Sequence, residues 1–303
     1  MFILLGNSRL TYKIAQTILN QGYEIKCIVV SEKNTRPNNS IDLKVFSKSK
    51  KINYLEIKSI NQINTIKRLK KYSCDYIIST WHEILSRDIL KIPKFFCIGS
   101  HPTDILNIRG RHPLHWLVSM RVKKSKFTFF KMNEKIDDGQ IIKSMSFKIE
   151  KNINKSNLNM ETVAVKCLNK MISKNKILIS SRKNKKKLEK PNYYRKRNIH
   201  DVTIDSRMDF SSISSIIDSF TYPNYPGPRL YYSKNKYLII KNYKEIKLEY
   251  RTFNKFENGT ILKKRKYSIL LKINNGAIDI NFVNKISKLP KKIKPPSFYF
   301  DKV

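Results

Sequence analysis

The chain has 303 residues, which is enough for one large hydrophobic core or for two domains. Hydrophobic residues make up 40% of the sequence, a proportion that favours a folded protein over a disordered one. No apolar run approaches the length of a membrane span, and the N-terminal MFILLGNSRL lacks the basic start and cleavage site of a signal peptide. We therefore expect a protein without a membrane span, whose first residues form a buried strand.

Four cysteines lie in or beside apolar segments, and no two of them form a CxxC pair; they are Cys27, Cys74, Cys97 and Cys167. This pattern predicts buried free thiols rather than disulfides or a zinc site. Free thiols are typical of a reducing compartment, so we expect a cytoplasmic protein.

The net charge of +39 comes from 62 Lys and Arg against 23 Asp and Glu. One interpretation is a polyanionic partner, such as tRNA or an anionic membrane. The other is compositional bias, because the Lys residues are scattered along a chain that is also rich in Asn and Ile. A negatively charged small substrate would be attracted in either case.

Strands and helices alternate in the first half of the chain. The opening strand 2–5, the turn at Gly6, a helix ending at Gly22 and the strand 24–30 form a βαβ unit. Further strands are predicted at 52–57, 74–80, 95–100, 127–132 and 140–149, and further helices at 41–50, 60–72, 84–91, 113–121 and 163–172. The pattern predicts a doubly wound α/β fold with a mostly parallel sheet. The GxGxxG fingerprint is absent, so we do not predict NAD binding.

A basic stretch at 180–197 is the best candidate for a linker. A short helix is predicted at 209–220, and β patterns follow from 229, including IKLEY at 246–250 and a hairpin signal at Asn274-Asn275-Gly276. We predict a catalytic domain at 1–185, a linker at 186–200 and a small β-rich domain at 201–303.

His101 and Asp137 each follow a predicted strand, at the edge of the sheet where α/β enzymes place their chemistry. Pro102 favours an extended backbone at His101, and an imidazole can take and return a proton near neutral pH. A buried carboxylate at Asp137 could orient that imidazole. The structural alternatives are a packed histidine and a turn aspartate next to Gly139.

Arg109, Gly110 and Arg111 form a basic loop before the predicted helix at Pro113. Two guanidinium groups around a glycine suit phosphate recognition, but a solvated turn has the same composition. Metal binding is not predicted, because His112 and His115 have no third ligand at a suitable spacing. Trp81 and Trp116 are expected in the core or in pocket walls.

Two segments carry a resemblance to the folate-dependent formyltransferases. Residues 101–113, HPTDILNIRGRHP, are similar to the family's HPSLLPxxRGRxP segment, and residues 127–142, FTFFKMNEKIDDGQII, are similar to TGVTxxxMxxxxDxGxI. The resemblance extends more weakly over most of the chain. The family includes methionyl-tRNA, glycinamide ribonucleotide and nucleotide-linked amino-sugar formyltransferases.

The resemblance implies transfer of a formyl group from 10-formyltetrahydrofolate to a primary amine. It implies that His101 accepts a proton or stabilises an oxyanion, and that Asp137 holds His101 charged and relays the proton. The folate is expected at Trp81, Ile84, Leu85, Asp138 and Gly139. The acceptor and its phosphates are expected at Arg109, Gly110 and Arg111.

The choice of acceptor depends on a further resemblance. Tyr194, Arg197 and Asp201 match a YxxRxxxD stretch of the sugar N-formyltransferases, and residues 221–232, TYPNYPGPRLYY, resemble their aromatic Pro-Gly turn. This favours a nucleotide-linked amino sugar, with tRNA as the alternative acceptor. A homodimer is left open.

Two positions depart from the family pattern. Gly99 stands where the family has an Asn that would polarise the formyl carbonyl, and Leu106 replaces the second proline of HPSLLP. Loss of one oxyanion donor costs roughly 2.7–4 kcal/mol, so that work would fall to protonated His101, a backbone N–H, Ser100 or water. A non-catalytic folate- or nucleotide-binding relative is therefore a third hypothesis.

Overall fold

A computed structural model describes residues 1–37, 39–173, 176–177, 191–246 and 255–299. The chain divides into two compact units. Unit 1 comprises Met1–Leu114, Lys123–Ile149 and Asn157–Arg195. Unit 2 comprises His115–Val122, Glu150–Ser156 and Lys196–Val303.

Unit 1 contains a seven-stranded sheet. Its strands are β1 (Phe2–Leu5), β2 (Ile25–Ser31), β3 (Asn53–Ile57), β4 (Tyr76–Ser79), β5 (Phe96–His101), β7 (Lys124–Lys131) and β8 (Gln140–Lys148). They lie in the order β3-β2-β1-β4-β5-β7-β8; the first five are parallel to one another, and β7 pairs antiparallel with both β5 and β8. The predicted α/β fold with a mostly parallel sheet is confirmed.

The inner parallel strands β1, β2 and β4 are largely apolar because both of their faces are buried, whereas the edge strand β3 exposes Asn53 and Glu56. The core cluster around them includes Ile3, Leu5, Val29, Leu55 and Ile77, all at most 2% exposed. The four cysteines are free and buried, as predicted.

Helices connect these strands. They are α1 (Arg9–Asn20), α2 (Lys44–Ser49), α3 (Ile63–Leu69), α4 (Arg87–Leu90), α5 (Pro113–Ser119) and α6 (Ile153–Met171), with a 3₁₀ turn at Lys33–Thr35. A capping box starts α1, since Ser8 and Thr11 each accept a hydrogen bond from the other's backbone N–H. The left-handed Gly22, with φ of +80°, follows the end of this helix.

Helix α6 begins ten residues earlier than the predicted helix 163–172. Its first half contains several asparagines, which hid the helical periodicity. Ile153, Ser156 and Met160 are nevertheless buried, at the spacing of one helical face. The predicted helices at 60–72 and 84–91 are shorter, at Ile63–Leu69 and Arg87–Leu90.

A small parallel sheet holds the basic loop. Strand β6 (Ile108–Gly110) pairs with β11 (Asn192–Tyr194), whereas β9 (Ile172–Ser173) and β10 (Lys176–Ile177) form a short antiparallel pair. Residues 186–190 of the predicted linker lie outside the described residues, and β11 lies within its remaining part. The domain boundaries stay a prediction.

Unit 2 contains a five-stranded antiparallel sheet in the order β12-β13-β16-β15-β14. The strands are β12 (Arg229–Ser233), β13 (Lys236–Ile246), β14 (Ile261–Lys264), β15 (Ser268–Ile273) and β16 (Gly276–Phe282). Helix α7 (Phe210–Ser219) precedes them, and 3₁₀ turns lie at His200–Val202 and Pro296–Phe298. The hairpin predicted at Asn274-Asn275-Gly276 joins β15 to β16, with Asn275 left-handed at φ of +57°. The β-rich C-terminal region is confirmed, although residues 247–250 of the strand predicted at 246–250 lie outside the described residues.

Across the described ranges, no helix is long and apolar enough to span a membrane. The same ranges contain no group of three or more His, Cys, Asp or Glu side chains placed to hold a metal ion.

Candidate active site

His101 is the last residue of β5 and is 7% exposed. Its Nδ1 atom lies 3.6 Å from Asp137 Oδ1, and its buried Nε2 has no hydrogen-bond partner among the described residues. Burial lowers the pKa of His101, and this outweighs the opposite effect of the Asp137 charge. The lowered pKa favours the neutral imidazole near pH 7, whereas the resemblance implied a charged His101.

Asp137 lies in the turn before β8 with a left-handed backbone, at φ of +48°. Its Oδ2 accepts a hydrogen bond of 3.0 Å from the backbone N–H of Gly110. Asp is one of the few non-glycine residue types that tolerate this conformation, and such strain concentrates at functional sites. One carboxylate thus connects the end of β5 to the basic loop.

Gly110 has a φ of +103°, which strongly favours glycine. A Cβ atom there would collide with the backbone of Tyr194, because β11 runs directly beside β6. The glycine of the basic loop therefore permits a close approach by the protein's own backbone.

The two arginines of the loop occupy opposite environments. Arg109 is 4% exposed, and its guanidinium contacts Asp138 Oδ1 at 2.6 Å, the Ile105 carbonyl oxygen at 2.8 Å and the Tyr193 hydroxyl at 3.1 Å. Arg111 is exposed and lines a cleft beside His101. A solvated turn describes neither residue fully.

A cleft of about 670 Å³ opens beside His101. It brings together most of the residues singled out from the sequence: Trp81, Ile84, Leu85, Ser100, His101, Gly110, Arg111 and Asp137. Arg109, Asp138 and Gly139 do not line it. Its lining also includes residues that the sequence did not single out, among them His82, Phe130, Met132, Asn133 and Lys135.

Comparison with known proteins identifies the family. Residues 4–190 match the family model described as formyl transferase. The chain belongs to this family.

Two curated relatives and one solved structure show how far the similarity extends. The bifunctional polymyxin resistance protein ArnA of Wigglesworthia glossinidia brevipalpis is 32% identical over 211 residues, which cover 68% of this chain and 31% of that protein. A methionyl-tRNA formyltransferase of Prochlorococcus marinus (strain AS9601) is 35% identical over 135 residues, which cover 42% of this chain and 39% of that enzyme. Each match thus spans less than two fifths of the relative's length.

The solved structure is an N-formyltransferase from Helicobacter canadensis in complex with folinic acid and dTDP-3-aminofucose. It matches this chain with a TM-score of 0.58 and 15% identity, covering 94% of this chain and 99% of that one. At this level of identity the match shows a shared fold.

The remaining predicted residues of this formyl transferase family member have structural contacts. Ser100 Oγ donates a hydrogen bond of 3.1 Å to the Ser79 carbonyl, and Trp81 Nε1 donates one of 3.0 Å to Glu83. Leu85 is buried in the core, whereas Ile84 is 59% exposed. A Cβ atom on Gly139 would collide with the carbonyl oxygen of Lys131 in β7.

The residues that suggested a sugar acceptor also have structural contacts. Tyr194 accepts the backbone N–H of Arg111 through its carbonyl oxygen, and Asp201 accepts the N–H of Asn198. Arg197 is 9% exposed in unit 2, where its guanidinium lies 3.7 Å from the centre of the Trp116 ring. These contacts give the YxxRxxxD pattern of Tyr194, Arg197 and Asp201 a structural explanation.

His112 and His115, which lack a suitable third ligand for a metal ion, lie in different surroundings. His112 is left-handed, with φ of +51°, and lines the cleft. His115 Nδ1 lies 2.6 Å from the Ser219 carbonyl oxygen.

Phe130 is the main site residue that the sequence did not reveal. It lies directly opposite Gly99 in the antiparallel pair of β5 and β7, and a Cβ atom at Gly99 would lie 2.5 Å from its ring. The run of aromatic residues in FTFF predicts a strand but does not show which residues it faces. A strand's neighbour in the sheet cannot be identified from one segment of sequence, so the pairing of Phe130 with Gly99 could not be predicted.

Proposed function

We propose that this protein transfers a formyl group from a folate donor to a primary amine. The observation that carries the proposal is the imidazole of His101, a residue that lines the cleft, with a buried, unsatisfied Nε2 atom and a carboxylate beside its other nitrogen. A neutral imidazole in that position is a proton acceptor. Membership of the formyl transferase family supports the same reaction.

The residues of the cleft fit a folate co-substrate. Trp81, Leu85, Phe130 and Met132 supply an apolar lining for a flat heteroaromatic ring, and His101 supplies an unsatisfied polar atom. The co-substrate would supply the formyl group. Asp138 and Gly139, which the resemblance assigned to folate, would act by shaping the turn behind this wall.

His101 would perform the proton transfer. The acceptor amine must be neutral to attack the formyl carbon, and it loses a proton as the new C–N bond forms. His101 Nε2 takes that proton and returns it to the nitrogen that leaves the formyl group. Asp137 orients the ring and stabilises the positive charge that His101 acquires on the way.

The test is formyl transfer from 10-formyltetrahydrofolate to a panel of amino-sugar nucleotides. We expect His101→Gln to lose about 10²–10⁴-fold in kcat while keeping the wild-type unfolding temperature. The matched control is His200→Gln, at an exposed histidine of unit 2, which should keep full activity. Full activity in His101→Gln would refute the assignment.

The acceptor that we favour is a nucleotide-linked amino sugar. The cleft is lined by Arg111, His112 and Lys135, which suit an anionic acceptor. The solved relative from Helicobacter canadensis contains dTDP-3-aminofucose, and the resemblance around Tyr194 suggests the same class.

A methionyl-tRNA acceptor is the second candidate. The net charge of +39 and the similarity to methionyl-tRNA formyltransferases favour it. Titration with initiator tRNA separates the two. Affinity that falls at least about 10³-fold between 50 and 200 mM salt would support tRNA. Tight, saturable binding of an amino-sugar nucleotide with efficient turnover would support the sugar.

The organisation of the chain is part of the proposal. We propose a catalytic domain at 1–185, a linker at 186–200 and a C-terminal domain at 201–303, in a cytoplasmic protein. The four buried free cysteines support the reducing compartment. Limited proteolysis that cuts first within 186–200, and fractionation of the native host, would test these two statements.

A further inference from the structure

Phe130 and Gly99 face each other across β7 and β5. They are directly paired in the antiparallel register, so their side-chain positions lie on the same face of the sheet. His101, two residues after Gly99, projects from that face as well. Phe130, Gly99 and His101 all line the cleft.

The ring of Phe130 occupies the space into which a side chain at position 99 would project. A Cβ atom on Gly99 would lie 2.5, 2.8 and 2.9 Å from three atoms of the ring. A Cβ atom on Gly139 would lie 2.9 Å from another ring atom. The ring is 4% exposed and lies between these two glycines, so it has little room to move aside.

The backbone of Gly99 does not itself require glycine, because Gly99 lies within β5 and its φ is outside the left-handed range. The constraint at this position is therefore the neighbouring ring. We propose that Phe130 is a positioning residue that excludes any side chain at position 99, forms the apolar wall beside His101, and so prevents an amide donor at position 99. This inference rests on the proposed formyl transfer for its catalytic part.

Because Gly99 and Phe130 are paired, a substitution at position 99 alone cannot reveal the effect of Gly99 on catalysis. Introducing Asn at position 99 alone places an amide where the ring already lies, so it overpacks the site. An amide at position 99 can reach the cleft only when the side chain at 130 is reduced. The two positions should therefore be strongly coupled in stability and in turnover.

The experiment measures thermal unfolding and formyl transfer in a double-mutant cycle. Gly99→Ala and Gly99→Asn are made in the wild type and in Phe130→Ala. In the wild type, each should lower the unfolding temperature by on the order of 5 °C through overpacking. In Phe130→Ala, each should leave the temperature unchanged or raise it, because the new side chain fills the cavity.

The matched control is Phe129→Ala. Phe129 is the next residue of β7, is fully buried, and pairs with Ser100 instead of Gly99. In this background, the substitutions at position 99 should cost as much as they do in the wild type. An equal cost in all three backgrounds would overturn the pairing. Gly99→Ala keeps this comparison available if Gly99→Asn fails to fold.

The turnover of the two double variants isolates the amide. Both fill the space left by Phe130→Ala, but only Gly99→Asn/Phe130→Ala adds a hydrogen-bond donor. Its kcat should exceed that of Gly99→Ala/Phe130→Ala by about tenfold or more. Equal turnover of two active double variants would overturn the claim that this pair controls hydrogen bonding in the cleft.

The two proposals fail in different ways. If the protein is not a formyltransferase, no variant transfers a formyl group, including the wild type and Gly99→Asn/Phe130→Ala. The coupling of unfolding temperatures is independent of catalysis and still decides whether Phe130 excludes a side chain at position 99.

Discussion

Arg109→Ala tests whether the first arginine of the basic loop acts in folding or in acceptor binding. The sequence predicted that Arg109 faces the acceptor's phosphates. In the structure its guanidinium is buried and pairs with Asp138 at 2.6 Å, with further hydrogen bonds to the Ile105 carbonyl and the Tyr193 hydroxyl. The substitution removes all three interactions.

The expected cost follows from this burial. Arg109 is 5% and Asp138 16% exposed at the side chain, so water compensates poorly for the lost partner. Breaking a buried ion pair by removing one member costs about 3–5 kcal/mol. For a chain of this size, we expect the unfolding temperature to fall by on the order of 10 °C. The KM for the acceptor should stay close to its wild-type value while the protein is folded.

Arg111→Ala is the matched control, since it removes the same side chain from the other side of Gly110. Arg111 is exposed and lines the cleft, so its removal should change stability by less than about 0.5 kcal/mol. Loss of a charge-assisted contact, at about 1.5–3 kcal/mol, should raise the KM for an anionic acceptor roughly 10- to 100-fold. Thermal unfolding by circular dichroism and initial rates measure both effects. The reverse pattern would refute the reasoning, with Arg109→Ala stable and weakly binding, and Arg111→Ala unstable.

Four further predictions concern the same site. Burial places the pKa of folded His101 below the ordinary value of 6.5. The rate constant kcat/KM should therefore fall on the acid side only below pH 6.5, and a fall that begins above this pH would contradict a neutral base. Because the unfolded chain takes up this proton first, stability should decrease as pH falls below about 6.5, and His101→Gln should lose that part of the pH dependence. Asp137→Asn should reduce kcat on the order of 10³-fold without unfolding the protein, and an unchanged kcat would exclude its orienting role. Gly110→Ala should lower the unfolding temperature through its collision with Tyr194, whereas an unchanged temperature would show that β6 and β11 can separate at no cost.

The placement of His101 and Asp137 could be predicted because it follows from local patterns. His101 ends an apolar strand-forming segment, Asp137 lies in the turn between two such segments, and strand ends meet at one edge of a sheet. The glycine of the basic loop could be singled out for a similar reason, since close backbone approach is a property of glycine itself. In these cases the residue types and their neighbours in the chain carry the information.

The environments of Arg109 and Gly99 could not be predicted because distant residues determine them. The hydroxyl that contacts Arg109 belongs to Tyr193 on β11, far along the chain from β6. A basic loop that is polar by composition gave no sign that one of its arginines is buried. At Gly99 the sequence showed an absent side chain, but the ring that occupies its place belongs to β7, which the sequence could not align with β5.

The position of Asp137 explains how a carboxylate can lie beside His101 without charging it. At 3.6 Å from Nδ1 the carboxylate is beyond a normal hydrogen bond, so its effect on the imidazole is weaker than the effect of burial. Its other oxygen accepts the Gly110 N–H at 3.0 Å, which ties the carboxylate to the basic loop. A closer, unshared carboxylate would raise the pKa of His101 and remove its ability to accept a proton at neutral pH. In the proposed reaction the basic loop would act through the backbone N–H of Gly110, and we expect Arg109 to stabilise the fold.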